Sequence, residues 1–267
     1  MRRIALAMVL IYGFSTLAVD AAAETVATAN NSVHANKQVG FYITSKQIPP
    51  NLLPKPPLPR SRAWQHRIQQ IIGIHTYAAP DEVIAAREEQ HLRPEIMTRL
   101  LGEKFTRDNL PATFALIDRV TADTESVTQA AKKHWHTIRP YQLDKHVKLQ
   151  VDPLPKDNYG YPSGHTGTGY VWAQLLSFLR PDATVRLNYQ AERIAMHRVV
   201  AGVHTLHDVA GGRKLGQEII KALKKSPSFQ HDLALASKEV CDRAHAPDQM
   251  AAVKRKNWKS FKSRAAQ

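Results

Sequence analysis

The chain has 267 residues and carries 37 Lys and Arg against 23 Asp and Glu, a formal net charge of +14. This length supports one large domain or two small ones with a substantial core, and the charge favours anionic partners: phosphorylated small molecules, nucleic acid or an anionic membrane surface. The single cysteine, Cys241, excludes an internal disulfide, and an inert thiol is a better interpretation than a nucleophile because no local pattern supports one.

The N-terminus has the pattern of a secretory signal peptide. Two arginines precede an apolar run from Ile4 to Val19, and Ala21-Ala22-Ala23 follows as a small-residue cleavage site. An uncleaved anchor is the alternative, but the run is shorter than the ~20 apolar residues of a spanning helix, and Asp20 ends it. Residues 1–23 are therefore predicted to be removed, leaving a periplasmic or secreted chain without a transmembrane segment.

Residues 24–60 are predicted to form a polar and then proline-rich lead-in. The stretch IPPNLLPKPPLPR contains two Pro-Pro pairs, which oppose helix and favour an extended course over the domain, with an SH3-type ligand as the alternative. At the other end, residues 246–267 form a basic tail with Trp258 and Phe261. Such a tail could bind nucleic acid, but a frayed, solvated terminus is the simpler interpretation, so no nucleic-acid partner is required.

Helical periodicity runs through residues 61–245 and predicts an all-α single domain. Ser61 is placed to cap the first helix, and Pro80 with the two acids after it begins a second. A third starts at Pro111 and is expected to continue until Arg139-Pro140 stops it, before a loop that contains proline and glycine. Further helices are predicted at 163–180, 182–198, 204–224 and 229–243.

The stretch YPSGH, residues 161–165, places a helix start beside a histidine. Ser163 is a plausible N-cap, and backbone N–H groups of Ser163 and Gly164 at such an end attract anions. His165 in that place could hand a proton to a bound group. From this stretch alone, a histidine with no chemical task is an equally good interpretation.

Two further stretches complete a group of residues suited to phosphate. KKHWHTIRP contributes Lys132 and Arg139, and HRVVAGVHTLHD contributes Arg198, His204 and Asp208. A phosphoryl group spreads negative charge over its equatorial oxygens in the transition state, so cations and a helix N-terminus would stabilise it. Arginine donates two parallel hydrogen bonds to phosphate, and lysine adds a point charge. The predicted phosphate-binding residues are Lys132, Arg139, Ser163, Gly164 and Arg198.

His204 and Asp208 are four residues apart, the spacing that stacks two side chains on one face of a helix. A carboxylate bonded to one ring N–H would fix the histidine tautomer and leave the other nitrogen free to attack phosphorus. This predicts His204 as the nucleophile, Asp208 as its orienting group and His165 as the acid that protonates the leaving group. Because the nucleophile must be neutral and the acid protonated, activity is expected to peak at acidic pH.

The three stretches resemble the signature of the PAP2 acid phosphatase and vanadium haloperoxidase superfamily. They take the form Lys132-x6-Arg139-Pro140, Pro162-Ser163-Gly164-His165 and Arg198-x5-His204-x3-Asp208. With its signal peptide, proline-rich lead-in and helical domain, the chain is similar to the bacterial class A non-specific acid phosphatases in particular.

The resemblance implies a single-domain helical bundle that hydrolyses small-molecule phosphomonoesters through a phosphohistidine on His204, with no metal or other cofactor. Association into homo-oligomers is left open. The family's pattern commonly has Ser where this chain has His197. That departure puts one phosphate hydrogen bond in question, because the imidazole could either replace it or point away.

Three other functions compete with a phosphatase. HTLHD with His134 and His136 could belong to a metal centre, although His207 only partly shares a face with His204 and no further ligand set has a convincing spacing. His134 and His136 are better interpreted as structural or facing solvent. The signature could also hold vanadate in a haloperoxidase. A non-catalytic exported protein that binds phosphate through its positive charge is the third alternative, but it does not explain the spacing of His204 and Asp208.

Overall fold

The computed structural model describes residues 40–155 and 158–244. The predicted signal peptide at 1–23, the polar part of the lead-in and the basic tail at 246–267 lie outside the described residues. Every regular element in the described part is a helix, with no β-strand, so the predicted all-α fold is confirmed. No helix in these ranges is both long enough and apolar enough to span a bilayer.

The helices cover most of the described chain. In order they are α1 (Arg62–Tyr77), α2 (Pro80–Glu88), α3 (Glu95–Thr98), α4 (Pro111–Trp135), α5 (Pro140–Leu143), α6 (Gly164–Leu179), α7 (Thr184–Val200), α8 (Leu206–Leu223) and α9 (Pro227–Arg243). Single 3₁₀ turns lie at Ser45–Gln47, Pro50–Leu52, Arg99–Leu101 and Pro181–Ala183.

Several helices begin where the sequence predicts. The hydroxyl of Ser61 accepts a hydrogen bond from Trp64 N at 3.2 Å at the start of α1. The hydroxyl of Ser163 accepts one from Thr166 N at 3.4 Å at the start of α6. Proline occupies the first position of α2, α4 and α9, where its missing N–H costs no hydrogen bond. The two predicted serine caps are therefore confirmed.

α4 ends earlier than predicted, at Trp135 rather than at Arg139. His136 takes a left-handed conformation with φ 46°, which terminates the helix before the proline can do so. The next residues run outside the helix, and Arg139 becomes the N-cap residue of α5 in extended conformation. Because α4 ends early, Arg139 lies outside it.

α8 begins at Leu206, two residues later than predicted, with Thr205 as its N-cap. The sequence contains the reason, since Thr205 and Asp208 form a capping box. His204 consequently lies before the helix and not within it. The prediction that His204 and Asp208 share one helical face is wrong, and their proximity results from the cap.

The proline-rich lead-in is not extended throughout. Pro50–Leu52 form a 3₁₀ turn, which accepts proline at its first position because no N–H is needed there. Ile48 and Leu53 on either side are buried in the main hydrophobic cluster. The carbonyl oxygen of Pro54 accepts a hydrogen bond from the hydroxyl of Tyr161 at 2.5 Å. The lead-in thus supports the residue that precedes the Pro-Ser-Gly-His stretch.

α6 lies at the centre of the domain, where it packs against α4, α7 and α8. Two glycines allow the backbone of α8 to lie directly against the residues at the start of α6. A Cβ at Gly212 would lie 2.3 Å from the carbonyl oxygen of Ser163, and one at Gly211 would lie 2.3 Å from the ring of Tyr161. Only glycine fits these two positions without a shift, so the first turns of α8 are held against Ser163.

Candidate active site

The eight predicted site residues meet where the ends of several helices converge. Around His204, the charges of Arg139, Lys132, Arg198 and His165 all act on its imidazole. The residues are Lys132 near the end of α4, Arg139 before α5, Ser163 before α6, Gly164 and His165 in its first turn, Arg198 near the end of α7, His204 before α8 and Asp208 in its first turn. The spacing in the sequence therefore identifies residues that the fold brings together.

His204 is 2% exposed, and its Nε2 lies 3.2 Å from Nη1 of Arg139. A guanidinium can only donate, so Nε2 accepts and the ring proton lies on Nδ1. Nδ1 lies 3.7 Å from Oδ2 of Asp208, within ion-pair range but longer than a hydrogen bond. Burial, followed by the charges of the surrounding cations, lowers the pKa of His204 well below its usual value. The imidazole is thus neutral with its lone pair on Nε2, as a nucleophile requires.

Asp208 is oriented by the capping box. Its Oδ2 accepts a hydrogen bond from the backbone N–H of Thr205 at 2.7 Å, and its own N–H donates to the Thr205 hydroxyl at 3.2 Å. Burial raises the pKa of Asp208 to about 6, although the bonds to Thr205 and the nearby cations oppose this. The backbone of the cap, rather than a shared helical face, aims this carboxylate at His204.

Arg139 is held by three carbonyl oxygens. Its Nε and Nη2 donate to the backbone and side-chain oxygens of Asn158, both at 2.7 Å, and Nη1 donates to Val203 O at 2.9 Å. Burial lowers its pKa to about 10, which still leaves it charged at neutral pH. A guanidinium fixed in this way is a rigid support beside Nε2 of His204.

Arg198 has spare donors. It is 2% exposed, and among the described residues its Nε and Nη1 have no hydrogen-bond partner. Burial, followed by the charge of Arg139, lowers its pKa to about 10, so it too remains a cation. Unpaired buried donors on a cation are costly, and an anion that accepts from them would remove that cost.

Lys132 adds the third positive group. Its Nζ donates to the carbonyl oxygen of Tyr159. Burial and the charges of Arg139 and Arg198 lower its pKa to about 7, against the attraction of Asp208. Without a bound anion, Lys132 therefore changes charge near neutrality, and an anion in the site would favour its protonated form.

Ser163 contributes differently from the prediction. Its backbone N–H donates to the carbonyl oxygen of Asp208 at 2.9 Å, so it is not free to bind a phosphate oxygen. Its hydroxyl accepts from Thr166 Oγ1 at 2.9 Å, which leaves the hydroxyl hydrogen as a donor. The expectation that both Ser163 and Gly164 offer backbone donors is therefore corrected for Ser163. Gly164, which occupies the first position of α6, lies close to the Lys132 side chain.

His165 is held by the segment that follows α2. Its Nε2 lies 3.1 Å from the carbonyl oxygens of both Glu89 and Gln90. Carbonyls only accept, so Nε2 carries a proton and Nδ1 is the nitrogen left for proton exchange. Burial, followed by the charge of Arg198, lowers the pKa of His165 to about 3. The expectation that this histidine holds a proton at mildly acidic pH without adjustment is wrong for the ligand-free site.

His197 points away from the site and into a pair of glutamates. Its Nδ1 lies 2.7 Å from Oε2 of Glu89, and its Nε2 lies 2.8 Å from Oε2 of Glu82. Burial acts to lower the pKa of His197, but the two carboxylates outweigh it and raise the pKa. Neither glutamate is predicted from the sequence, although Glu82 in α2 and its C-cap residue Glu89 are seven residues apart, a spacing that falls on one helical face.

The other predicted candidates lie outside this group. His134 and His136 are exposed, as expected. His207 stacks on the ring of Tyr161 at a centroid distance of 5.2 Å. Cys241 is partly buried on α9. In the described part of the chain, no three His, Cys, Asp or Glu side chains are grouped as metal ligands would be.

Comparison with known proteins identifies a family that resembles this part of the chain. Residues 116–230 match the profile of the PAP2 superfamily, and all eight site residues fall within that span. Over this span the chain is similar to the PAP2 superfamily. The resemblance inferred from the three sequence motifs is confirmed, and the helical fold agrees with it.

Several acid phosphatases are similar to this chain. It is 30% identical to a non-specific acid phosphatase of Salmonella typhimurium over 151 residues, 55% of this chain and 60% of the relative. An acid phosphatase of Zymomonas mobilis is 31% identical over 146 residues, 53% of this chain and 55% of the relative. A non-specific acid phosphatase of Providencia stuartii is 29% identical over 142 residues, 52% and 57% of the two chains. The chain spans at most 60% of the length of each.

Proposed function

We propose that the protein is an acid phosphatase that hydrolyses phosphomonoesters through a phosphohistidine on His204, without a metal ion. The observation that carries the proposal is the state of His204. Its Nε2 faces the guanidinium of Arg139 as an acceptor, and its Nδ1 faces Asp208. A neutral, oriented imidazole beside buried cations suits nucleophilic attack on a bound phosphate dianion. The acid phosphatases similar to this chain support the same activity.

In the first step, the phosphate oxygens accept hydrogen bonds from Arg198, from the Ser163 hydroxyl and from the first turn of α6, with Lys132 close by. Nε2 of His204 gives up its hydrogen bond from Arg139, and its lone pair forms a bond to phosphorus as the bond from phosphorus to the ester oxygen breaks. The proton on Nδ1 of His165 passes to that oxygen, so the alcohol leaves neutral. Asp208 stabilises the positive charge that develops on the imidazole of His204.

In the second step, water attacks the phosphohistidine. His165, now without its Nδ1 proton, accepts a proton from the water as its oxygen bonds to phosphorus. The bond between phosphorus and Nε2 breaks, and inorganic phosphate is released. Each group has then returned to its starting state, which completes one turnover.

The proton required on His165 must come with the substrate. In the ligand-free site, burial and then the charges of Arg198 and Arg139 lower the pKa of His165 to about 3. A phosphate dianion between the cations offsets their charge and favours the imidazolium. Substrate binding and protonation of His165 are therefore coupled, which gives preference to acidic pH.

Export is part of this proposal. Residues 1–23 have the pattern of a signal peptide, and a periplasmic or secreted location suits a phosphatase that acts on small phosphomonoesters from the surroundings. No nucleic-acid partner is needed for the chemistry. A homo-oligomer would be compatible with the site, which is built from residues of one chain.

The test is hydrolysis of p-nitrophenyl phosphate by the purified protein at mildly acidic pH with excess chelator, beside His204→Ala. Turnover that survives the chelator and is lost in the variant supports the proposal. Turnover abolished by the chelator would assign a metal site instead. Phosphate binding without turnover would assign the alternative of a non-catalytic anion-binding protein.

A further inference from the structure

The pair of His197 and Glu89 connects α7 to the segment that holds His165. His197 is fully buried, and Glu89 is 6% exposed. Oε2 of Glu89 bonds Nδ1 of His197 at 2.7 Å, and its Oε1 lies 3.5 Å from the amide nitrogen of Gln190, also on α7. Glu89 is thus anchored to α7 through both carboxylate oxygens.

The same residue contacts the candidate acid through its backbone. The carbonyl oxygens of Glu89 and Gln90 both lie 3.1 Å from Nε2 of His165. Glu89 is the C-cap residue that follows α2, so its side chain and its carbonyl both belong to the point at which the chain leaves the helix. Glu89 therefore bonds His197 through its carboxylate and His165 through its backbone carbonyl.

We propose that His197 is a positioning residue for His165: by anchoring Glu89, it keeps two carbonyl oxygens on Nε2 of His165 and reserves Nδ1 for proton transfer to the leaving group. This rests on the proposed phosphatase function. The residue stands where the family's pattern commonly has Ser, so this route of support belongs to this chain's own sequence.

A buried charge without a partner is costly. Without His197, the Glu89 carboxylate would be buried with only the long contact to Gln190, and such a group reorients or draws in water. Glu82 and Arg193 face His197 from the more exposed side, where Nη2 of Arg193 lies 3.4 Å from Glu82. Among the described residues neither of them is bonded to the Glu89 carboxylate, so they do not replace the anchor that His197 provides. A movement of that carbonyl would allow His165 to take the other tautomer.

The test uses leaving groups that differ in their need for a proton. p-Nitrophenolate leaves without one, whereas the alkoxide of glycerol 2-phosphate requires protonation. In His197→Ala, kcat/KM for glycerol 2-phosphate is expected to fall by about 10²-fold, the usual contribution of a general acid, while kcat/KM for p-nitrophenyl phosphate falls less than about threefold. His197→Gln, whose amide still donates to Glu89, is expected to give an intermediate ratio.

The matched control is Ile194→Ala, which removes a fully buried side chain from α7 without touching Glu89. A purely structural loss lowers kcat/KM for both esters by the same factor, and this is the result expected for the control. If both His197 variants gave that result as well, the positioning role would be wrong.

A readout without turnover separates this inference from the proposed function. Imidazole ¹⁵N shifts of His165, assigned by comparison with His165→Gln, should show the proton on Nε2 in the wild type and a mixture of tautomers in the His197 variants. An unchanged tautomer in the variants would overturn the inference. If the tautomer changed in the His197 variants while the wild type hydrolysed neither ester, the phosphatase proposal alone would be contradicted.

Discussion

Two buried histidines, seven residues apart in the sequence, have opposite surroundings. His204 lies among Arg139, Lys132 and Arg198, and burial with these cations lowers its pKa. His197 lies between Glu82 and Glu89, whose charges overcome burial and raise its pKa. These surroundings favour the neutral imidazole of His204, which has a free lone pair, and the protonated imidazole of His197, which pairs with the carboxylates.

The difference shows that the neighbours of a buried histidine decide its role. Both residues are on or next to the same connection between α7 and α8, and both are almost fully buried. Burial alone favours the neutral ring in each case. The sign of the surrounding charge then separates a candidate nucleophile from a residue that supports the fold beside it.

The largest effect is expected from removing the negative charge beside His204. Oδ2 of Asp208 both accepts from Thr205 N and faces Nδ1 of His204, so in Asp208→Asn the amide oxygen can take its place and keep the proton on Nδ1. The variant therefore keeps the tautomer but has no charge to stabilise the imidazolium that forms when His204 attacks phosphorus. We expect kcat to fall by about 10²- to 10⁴-fold with little change in KM, measured with p-nitrophenyl phosphate.

A wild-type rate in Asp208→Asn would contradict the role of the carboxylate charge. The Thr205→Ala variant controls for loss of the helix cap, because it removes the hydroxyl that caps α8 but leaves the Asp208 carboxylate. It is expected to lose about 1 kcal/mol of unfolding free energy and to retain most of the activity.

The next prediction concerns Arg198, one of the cations that surround His204 but not His197. Arg198→Ala removes a buried cation with donors left over, and kcat/KM should fall by about 10²- to 10³-fold. Arg198→Lys should recover little, since a lysine cannot donate two parallel hydrogen bonds. Arg213→Lys, which affects an exposed pair with Glu192, is the control and should leave kcat/KM unchanged. Full activity in Arg198→Lys would show that charge alone is required.

Sulfate binding measured as a function of pH tests the charges around His165 without turnover. Burial and the charge of Arg198 lower the pKa of His165 to about 3 in the ligand-free site, and a bound dianion acts in the opposite direction, so binding is expected to take up a proton. Sulfate affinity should therefore rise as pH falls from 7 to 5, by up to about tenfold per pH unit for each proton taken up. His165→Gln should make this dependence shallower. Affinity independent of pH in the wild type would contradict the coupling.

The smallest effect concerns the backbone contact that places Asp208 beside Ser163. Gly212→Ala would bring a Cβ to 2.3 Å from the Ser163 carbonyl oxygen. The resulting shift should lower the unfolding free energy by about 1–3 kcal/mol. Gly73→Ala in α1 is the control, because beyond the helix's own nearby backbone the added carbon has no neighbour within 4 Å, and it should stabilise by about 0.5–1 kcal/mol. Urea denaturation measures both, and equal stability of the two variants would contradict the close contact.

The sequence predicts the helical fold and the members of the candidate site, because helix caps, prolines and motif spacing are local signals. It does not predict the details that tertiary contacts decide. The early end of α4 depends on the left-handed conformation of His136, which no residue type requires. The late start of α8 could have been read from Thr205 and Asp208 as a capping box.

The partners of His197 and His165 could not be read from the sequence. Glu89 lies 108 residues before His197, and only packing of α2 on α7 brings them together. The same packing supplies the carbonyl oxygens that bond His165. The low pKa of His165 in the ligand-free site likewise depends on cations from other helices.

The central claim is that His204 carries the phosphoryl group during turnover. The most direct measurement is to quench the protein with alkali during hydrolysis of a radiolabelled phosphomonoester and to map the label by peptide mass spectrometry. We expect an alkali-stable, acid-labile phosphate on His204 that is absent from His204→Ala. A label on another residue, or rapid turnover by a wild type that never becomes labelled, would contradict it.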